Sequence, residues 1–340
     1  MKFIDLFSGI GGFRLGMEMA GHECVGHCEI DKYADKSYRA MHNVKESEWF
    51  ATDIRNVIPE DMPEFDILCG GFPCQSFSMA GKRGGFEDTR GTLFFEIARI
   101  ISERKPKIVF LENVRGLLSH DDGSTVETIL RTLGDLGYWW EYQVHNSKDF
   151  NVPQNRERVF IIGHLRGSSG RAVFPFNGTN GESDFNKIIT VGKWEGTNRD
   201  TGQRIYDKKG IFATLTTKGH MSDVPKIAVK EATKQGYAMA EVGDSINLEQ
   251  PNSKTRRGRV GKGIANTLTT SAQQGTLDAG VSDGIRIRRL TPKECFRLQG
   301  FPDQLFHKAE KVNSNSQLYK QAGNSVTVNV IYAIAKRIKE

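Results

Sequence analysis

The feature that most constrains the fold is the alternation of short apolar runs with amphipathic stretches over the first 164 residues. The apolar runs have the length of buried strands, and the stretches between them repeat apolar residues at helical spacing. Between Thr92 and Glu103, for example, Leu93, Ile97 and Ile100 recur at i, i+4 and i+7 and give one buried face. This order of strand and helix predicts an α/β fold with a mainly parallel sheet covered by helices on both faces.

The limits of these elements follow from the same patterns. The predicted strands are Lys2–Phe7, Glu23–Glu29, Phe65–Cys69, Lys107–Asn113, Trp139–Val144 and Val159–His164. The predicted helices are Gly12–Ala20, Tyr33–His42, Thr92–Glu103 and Thr125–Leu136.

The character of the chain changes between residues 166 and 285, which are rich in Gly, Thr, Ser, Asn and Lys and carry few helical signals. We therefore predict a second, loop- and β-rich domain there. It contains a repeat, since Lys209–Thr217 (KGIFATLTT) matches Lys262–Thr270 (KGIANTLTT). The two copies predict either similar structural hairpins or paired elements that line one binding face.

Helical sequence returns near the C-terminus. Thr291 is a good N-cap, with Pro292 at the first helical position and Glu294 at the third. The last helix carries an apolar stripe, so it must pack against the first domain. We therefore predict one domain from residues 1–165 and 286–340, interrupted by the second domain at 166–285.

Charge, cysteine content and hydropathy narrow the class of protein. The net charge is +6, and no acidic residue occurs between Gln250 and Leu277, where several cations cluster. This favours a polyanionic partner, although a solvated basic loop explains it equally well. Five cysteines without CxxC spacing argue against disulfides and a zinc site. Because the apolar runs are too short to span a membrane, we predict a cytoplasmic protein without membrane contact.

Cys74 is the candidate nucleophile. It stands in Pro73-Cys74-Gln75, directly after a short apolar run and two glycines, and a strand end followed by a loop is where enzymes place a reactive thiol. The other four cysteines lie in apolar or helical contexts, which predicts buried structural thiols.

A cofactor site is predicted where the first strand meets the first helix. Glycines in the segment Asp5–Gly12 allow the backbone to approach a ligand closely, and Glu29 ends the next strand, followed by Asp31. In nucleoside-binding α/β folds, a carboxylate at that place holds ribose hydroxyls. The G-x-G-G spacing suits S-adenosylmethionine better than NAD, and a purely structural tight turn is the alternative.

Two further motifs supply an acid and two cations. Glu112 ends the strong strand before Asn113 and Val114, where it would face the ligand crevice, unless it serves as an N-cap or an ion-pair partner. Arg156 and Arg158 alternate in an extended segment and therefore point to the same side. Two guanidinium groups there suit a carbonyl oxygen or a phosphate, and a surface ion-pair ladder is the alternative.

Six motifs in this order closely resemble the bacterial DNA (cytosine-5) methyltransferases of restriction-modification type. They are Asp5–Gly12, Pro73-Cys74-Gln75, Glu112-Asn113-Val114, Gln154-x-Arg156-x-Arg158, Arg289–Pro302 and Gly323-Asn324-Ser325-Val326. The resemblance implies a Rossmann-like class I S-adenosylmethionine-dependent methyltransferase domain with a mostly parallel sheet. It also implies a smaller target-recognition domain in the variable part of the chain.

The resemblance implies the chemistry as well. Cys74 would add as a thiolate to C6 of a cytosine flipped out of the duplex, and Glu112 would protonate or hydrogen-bond its N3. Arg158 would contact the cytosine O2 with support from Arg156. The activated C5 would then take the methyl group of S-adenosylmethionine, which becomes S-adenosylhomocysteine. No residue is an obvious base for the C5 proton, and a water molecule can serve.

The remaining site residues are also implied by the resemblance. The cofactor-binding residues would be Phe7 against the adenine, Gly9, Ile10, Gly11 and Gly12 through their backbone, Glu29 at the ribose, Asp53 at the adenine amino group, Pro73, Asn324 and Ser325. The DNA-binding residues would be Gln75, Ser78, Lys82, Arg83 and Arg90 in a mobile glycine-rich loop, and Arg204, Arg256, Arg257 and Arg259 in the recognition domain.

The implied partner is double-stranded DNA, with no metal. A bacterial or phage-encoded monomer is expected, together with a possible cognate restriction endonuclease acting on the same site. The alternatives are a tRNA cytosine-5 methyltransferase and a catalytically silent DNA-binding regulator. The intact Cys74, Glu112 and both arginines argue against the regulator.

Overall fold

The computed structural model describes residues 1–73, 93–168, 170–178, 226–249, 253, 255–270, 274–279 and 285–339. The strands, in chain order, are β1 (Lys2–Leu6), β2 (Glu23–Cys28), β3 (Trp49–Ala51), β4 (Ile67–Gly71), β5 (Ile108–Val114), β6 (Tyr138–Asn146), β7 (Gln154–Asn155), β8 (Glu157–Leu165), β9 (Lys226–Lys230), β10 (Tyr237–Glu241), β11 (Ser245–Asn247), β12 (Val260–Gly261), β13 (Ala265–Asn266), β14 (Gln274–Ala279) and β15 (Ile285–Arg289). The helices are α1 (Gly12–Met19), α2 (Lys32–Met41), α3 (Leu93–Arg104), α4 (Ser124–Asp135), α5 (Pro292–Leu298), α6 (Asp303–Ala309), α7 (Asn315–Asn324) and α8 (Val328–Ala335).

A central sheet has the strand order β3-β2-β1-β4-β5-β8-β6. From β3 to β5 all neighbours are parallel, and β8 runs antiparallel to both β5 and β6. The chain passes from β6 to β8 through a short 3₁₀ turn at Ser147–Phe150 and the two-residue strand β7. A parallel return would need a crossover of a dozen or more residues, so the short connection forces β8 to run antiparallel.

The two faces of the sheet carry different helices. Ile4 and Leu6 of β1 share one apolar core with α3 and α4, while Phe3 faces a second core with α1 and α8. This alternation follows from the two-residue period of a strand. The predicted fold class, an α/β domain with a mostly parallel sheet, is therefore confirmed.

The C-terminal helices pack back onto the first part of the chain. Ile331 of α8 lies against Gly16 of α1, where an added Cβ would stand 2.7 Å from the Ile331 Cβ. Glycine is unfavourable inside a helix, but here it allows the two helices to approach closely. The capping box predicted at the start of α5 is present, with Thr291 accepting from the backbone of Glu294.

Small β structures occupy the described part of residues 226–289. Strands β9 and β10 form an antiparallel hairpin, and β12-β11-β14-β15 form a four-stranded sheet. Strand β13 pairs with β7, so Ala265 and Asn266 lie beside Gln154 and Asn155. None of the helices in the described part of the chain has the length and hydrophobicity needed to cross a membrane.

Candidate active site

A cavity of about 390 Å³ opens at the carboxyl ends of the parallel strands. This volume lies in the range of small-molecule sites, and the carboxyl edge of such a sheet is where α/β proteins bind ligands. The lining residues are Phe7, Gly9, Glu29, Asp31, Ala34, Gly71, Phe72, Pro73, Glu112, Asn113, Val114, Arg156, Arg158, Lys320, Gln321, Gly323 and Asn324.

The turn between β1 and α1 needs its glycines. Gly9 and Gly11 have φ angles of 55° and 81°, in the left-handed region that favours glycine. A Cβ on Gly11 would also collide with the His42 ring, whose Nε2 lies 3.0 Å from the carbonyl oxygen of Ile10. Burial lowers the pKa of His42 to about 3, so the ring is neutral and its Nε2–H donates to Ile10. A buried histidine thus holds the turn in place.

Glu29 joins this turn to the end of β2. One of its carboxylate oxygens accepts from the backbone N–H of Gly9 and the other from that of Asp31, both at 2.7 Å. Burial raises the pKa of Glu29. A carboxylate has about four lone-pair sites, so this one keeps acceptor capacity toward the cavity, which Phe7 also lines.

Glu112, which also lines the cavity, forms an ion pair with Arg158, with 3.0 Å between Oε1 and Nε. Glu112 lies opposite Gly71 in the sheet, and a Cβ at Gly71 would stand 3.1 Å from Glu112 Oε2. Burial raises the pKa of Glu112, while Arg158 and then Arg156 oppose that rise. The result is a buried carboxyl group poised to hold a proton beside a cation.

Arg156 has a different environment from Arg158. Its guanidinium donates to the backbone carbonyls of Leu268, Gly323 and Ser325 at 3.4, 3.2 and 2.7 Å. Burial, followed by the charge of Arg158, lowers the pKa of Arg156 to about 9. Arg156 therefore joins three chain segments at the wall of the cavity.

Asn113 fixes the segment that leads to Cys74. Its amide donates to the carbonyl of Phe72 at 2.8 Å, and the next residue, Pro73, lines the cavity. Cys74 follows Pro73 in the sequence but lies outside the described residues. Five predicted DNA-binding residues, Gln75, Ser78, Lys82, Arg83 and Arg90, also lie outside them, as does Arg204.

The cavity brings together eight of the predicted catalytic and cofactor-binding residues. They are Phe7, Gly9, Glu29, Pro73, Glu112, Arg156, Arg158 and Asn324. Five others do not line it. Ile10 is buried in an apolar core, Gly11 faces His42, and Gly12 and Ser325 contact each other, while Asp53 pairs with Arg55 at 2.6 Å.

The three described arginines of the basic region differ in exposure. Arg256 pairs with Glu249 at 2.7 Å, and the exposed Arg257 donates to the carbonyl of Ala232. Arg259 is buried, and its guanidinium donates to the carbonyls of Lys230 and Asn247. The charged group of Arg259 is therefore held inside the small β region, and its contact with DNA stays a prediction.

The prediction for the other four cysteines is confirmed. All four are buried free thiols, and burial raises the pKa of Cys24, Cys28 and Cys295 to about 12. Burial likewise raises the pKa of Cys69. Thiols with such pKa values remain protonated at neutral pH and do not act as nucleophiles.

Some lining residues had no predicted role. Asp31 pairs with Lys320 at 2.7 Å across the cavity wall, which joins residues 289 positions apart. Asn113 and Gly323 stood inside the quoted motifs, and only the fold shows what they contact. The motif positions were a usable signal for these two, whereas nothing local in the sequence pointed to the Asp31–Lys320 pair.

The sheet and its cavity define a Rossmann-like α/β fold with a ligand-sized cavity at the carboxyl edge of the sheet, and the buried pair of Glu112 and Arg158 lines that cavity. The chain belongs to the C-5 cytosine-specific DNA methylase family, whose model matches residues 1–340. The predicted family and enzyme class, a DNA (cytosine-5) methyltransferase of restriction-modification type, are thereby confirmed.

Individual proteins show the same relationship. The chain is 38% identical over 342 residues to the type II methyltransferase M.HhaI of Haemophilus parahaemolyticus, covering 99% of this chain and 94% of that one. It is 35% identical over 431 residues to the orphan methyltransferase M.SPRI of Bacillus phage SPR, covering 99% and 97%. The crystal structure of S. pombe Dnmt2 methyltransferase has the same fold, with a TM-score of 0.58, 18% identity and coverage of 98% and 96%.

Proposed function

We propose that the protein transfers a methyl group from S-adenosylmethionine to C5 of a flipped-out cytosine within a specific duplex DNA sequence. The reaction would proceed through a covalent bond between Cys74 and C6 of the base. The observation that carries this proposal is the cavity itself. A nucleoside-type wall of Phe7 and Glu29 and an acid–arginine pair, Glu112 and Arg158, line one space that Pro73, the residue before Cys74, also borders.

The residues present fit S-adenosylmethionine. Glu29 has lone pairs beyond those used by Gly9 and Asp31 for ribose hydroxyls, and Phe7 offers a ring for the adenine. A Cβ at Gly9 would meet nothing within 4 Å, which leaves room for a ligand at the turn. When bound, the cofactor would supply an electrophilic methyl group on a sulfonium centre. Asp53 as the partner of the adenine amino group and contacts from Ile10, Gly11, Gly12, Pro73, Asn324 and Ser325 remain part of this proposal.

Cys74 would activate the base. Cytosine C5 is too weak a nucleophile to take a methyl group directly. The lone pair of the Cys74 thiolate would form a bond to C6. The C5–C6 π electrons would shift to C4–C5 and the C4–N3 π electrons onto N3, which takes a proton from Glu112, so that C5 becomes the nucleophilic end of an enamine. After methylation, a water molecule would take the C5 proton, whose electron pair re-forms the C5–C6 double bond while the C6–S pair leaves with the thiolate, and N3 returns its proton to Glu112.

Glu112 and Arg158 would stabilise the charge that develops on the ring. The raised pKa of Glu112 favours a carboxyl group that donates a proton or hydrogen bond to N3 as the thiolate adds. Arg158, held by Glu112, would donate to O2. Because the target atom is inaccessible in a stacked duplex, the base must first leave the helix.

The test of substrate and cofactor is transfer of labelled methyl groups from S-adenosylmethionine to duplex DNA and, separately, to tRNA. We expect incorporation into DNA only, in the base 5-methylcytosine. Incorporation into tRNA alone would replace this function by RNA methylation. If DNA is the substrate, bisulfite sequencing of host DNA after expression would give the recognition sequence.

The test of the nucleophile is covalent capture by duplex DNA in which the target is 5-fluorocytosine, which cannot lose its C5 substituent. We expect a stable protein–DNA adduct with the parent protein and none with Cys74→Ser. Cys295→Ala is the matched control, because Cys295 is a buried thiol outside the cavity and should leave adduct formation intact. A Cys74→Ser protein that methylates as well as the parent would refute the mechanism.

Double-stranded DNA is the proposed partner, contacted in part by the described Arg256 and Arg257. We further propose that the enzyme acts as a monomer, which sedimentation would test. Among the relatives, a type II enzyme and an orphan phage enzyme both occur. An endonuclease that is blocked by the methylated host DNA would identify a cognate partner.

A further inference from the structure

The second copy of the repeat, residues 262–270, lies directly against the arginine segment of the cavity. Strand β13 runs parallel to β7, and the Ala265 N–H donates to the carbonyl of Pro153 at 2.7 Å. The hydroxyl of Thr267 donates to the carbonyl of Asn155 at 2.7 Å. Ala265 and Leu268 are buried in the apolar core that surrounds α5 and α7. This copy is therefore part of the support of the active site.

Gln154 is the centre of this contact. The residue is fully buried, and both the nitrogen and the oxygen of its side-chain amide form hydrogen bonds. Its Nε2 donates to the carbonyl of Leu298 at 2.7 Å, and its Oε1 accepts from the N–H of Leu268 at 3.2 Å. One side chain thus joins the end of α5, the repeat copy and the segment that carries Arg156 and Arg158.

Arg156 completes the junction from the other side. Its guanidinium donates to the carbonyl of the same Leu268 and to the carbonyl of Gly323. Gly323 is close to the backbone of Thr269, where an added Cβ would stand 2.7 Å from the carbonyl carbon and oxygen. A side chain at position 323 would push the repeat copy away from the cavity wall.

The far end of the repeat copy is anchored in the small β region. Lys262 pairs with Asp244 at 2.7 Å, and the N–H of Gly263 donates to the same carboxylate. Asp244 precedes β11 of the four-stranded sheet. Residues 262–270 therefore link that sheet to Gln154 and Arg156, and we call them the strut.

We propose that the strut sets the position of the Arg156–Arg158 segment, and that Gln154 is the positioning residue that fixes the strut to it. This rests on the proposed function, because it assumes that Arg158 acts on the target base. Through this link, the small β region holds Arg158 at the geometry that the reaction needs. The two repeat copies then differ in role, since this one supports the active site through backbone contacts.

The first test is Gln154→Met, which keeps the size of the side chain and removes both hydrogen-bonding ends. We expect the single-turnover rate of DNA methylation to fall roughly 10–100-fold, because small displacements of a positioned group cost that much. The dissociation constant for S-adenosylmethionine should stay unchanged, since Gln154 does not line the cavity. Gln304→Met is the matched control, because it makes the same change at an exposed glutamine of α6 that does not line the cavity.

If Gln154 only stabilised the fold, Gln154→Met would change stability and leave the rate of methylation intact. The melting temperature would fall, yet the single-turnover rate per cofactor-binding molecule would match the parent, and this outcome would overturn the proposal. Gly323→Ala gives a second test, since its added Cβ would meet the backbone of Thr269 and displace the strut without altering Gln154. Gly323 also lines the cavity, so the dissociation constant for S-adenosylmethionine is measured with the rate and should stay close to that of the parent. It should also slow methylation, and the double variant should be much less than multiplicatively slower because both changes displace the same strut. Fully multiplicative effects would show two unrelated defects.

The outcome for the parent protein separates this proposal from the function on which it rests. If the parent forms the 5-fluorocytosine adduct and methylates DNA, the proposed function stands whatever Gln154→Met does. If the parent does neither, the function fails first. Slow adduct formation in Gln154→Met with normal DNA binding is the specific sign of a mispositioned arginine segment.

Discussion

The central sheet and the small β region at 226–289 are held together in different ways. The inner strands of the central sheet are buried on both faces, and Phe110 and Ile161 are at most 1% exposed. In the described part of the small region, the apolar core has three buried members, Val229, Ala240 and Ile246. The first region thus depends mainly on apolar burial, and the second needs another source of order.

That source is a set of buried polar groups that bind the backbone. The carboxylate of Glu231 accepts from the N–H groups of Gly258, Arg259 and Val260 at 2.6–3.2 Å. The guanidinium of Arg259 donates to two carbonyls on the neighbouring strands. Such bonds add little net stability when made but cost much when one partner is lost. The two regions should therefore respond to different substitutions.

The largest expected effect is at the cavity, where the central sheet supplies Glu112. Glu112→Gln should lower the single-turnover rate by roughly 10²–10⁴-fold, the usual contribution of a general acid. Because the pKa of Glu112 is raised, its protonated fraction falls as the pH rises through that pKa, so the parent rate should decline on the alkaline side. The glutamine cannot titrate, and its residual rate should lack this alkaline limb.

The control for this prediction is cofactor binding, which Glu112→Gln should leave close to that of the parent. An alkaline limb that persists unchanged in the glutamine variant would assign the titration to another group. A rate equal to that of the parent would remove Glu112 from the mechanism.

The next largest effect is expected from a substitution that leaves an empty space in the core of the central sheet. Phe110 is fully buried and packs edge-to-face on Phe13 with ring centroids 5.0 Å apart. Phe110→Ala should lower the free energy of unfolding by roughly 3–5 kcal/mol, measured by urea denaturation. Tyr142→Ala is the control, because Tyr142 lies in the same sheet with 46% of its surface exposed and should cost much less. Equal losses would contradict the dependence of this region on burial.

Acid should destabilise the protein through His42. Its folded pKa of about 3 lies below the unfolded value of roughly 6.5, so the unfolded state binds the extra proton as pH falls. The stability due to the neutral ring is complete above pH 6.5 and is lost as pH falls toward 3, by roughly 3 kcal/mol at pH 4. The glutamine of His42→Gln can still donate to the Ile10 carbonyl, but it cannot titrate. Between pH 6 and 4 the variant should take up about one proton fewer than the parent on unfolding, so its free energy of unfolding should depend less steeply on pH. An unchanged slope would contradict this assignment.

Much of the first region could be predicted from the sequence, because its signals are local. Apolar periodicity placed the six predicted strands and four predicted helices to within two residues at each end, for example α3 at Leu93–Arg104 against a prediction of 92–103, but it missed the short strands β3 and β7. The direction of β8 is not encoded in its own residues, since it depends on the short path from β6. Glu112 and Arg158 were found because each stands in a motif at a strand end.

The contacts that could not be predicted join distant residues without a local pattern. Gln154 and Leu268 are 114 positions apart, and neither has a neighbour that signals the pairing. Arg259 stands among other cations and looks like part of a DNA-binding surface, yet the fold surrounds it with carbonyls. A charged side chain gives no sequence signal of burial when its partners are backbone atoms.

The smallest effect predicted here tests the second region directly. Arg259→Met keeps the length of the side chain but leaves the carbonyls of Lys230 and Asn247 without this donor. We expect a loss of roughly 1–3 kcal/mol, the cost of unpaired buried acceptors, confined to the small β region. Amide hydrogen exchange should accelerate in β9 and β11 and stay unchanged in β4 and β5, with S-adenosylmethionine binding intact. Faster exchange throughout the central sheet would mean that the two regions unfold together, and the contrast between them would fail.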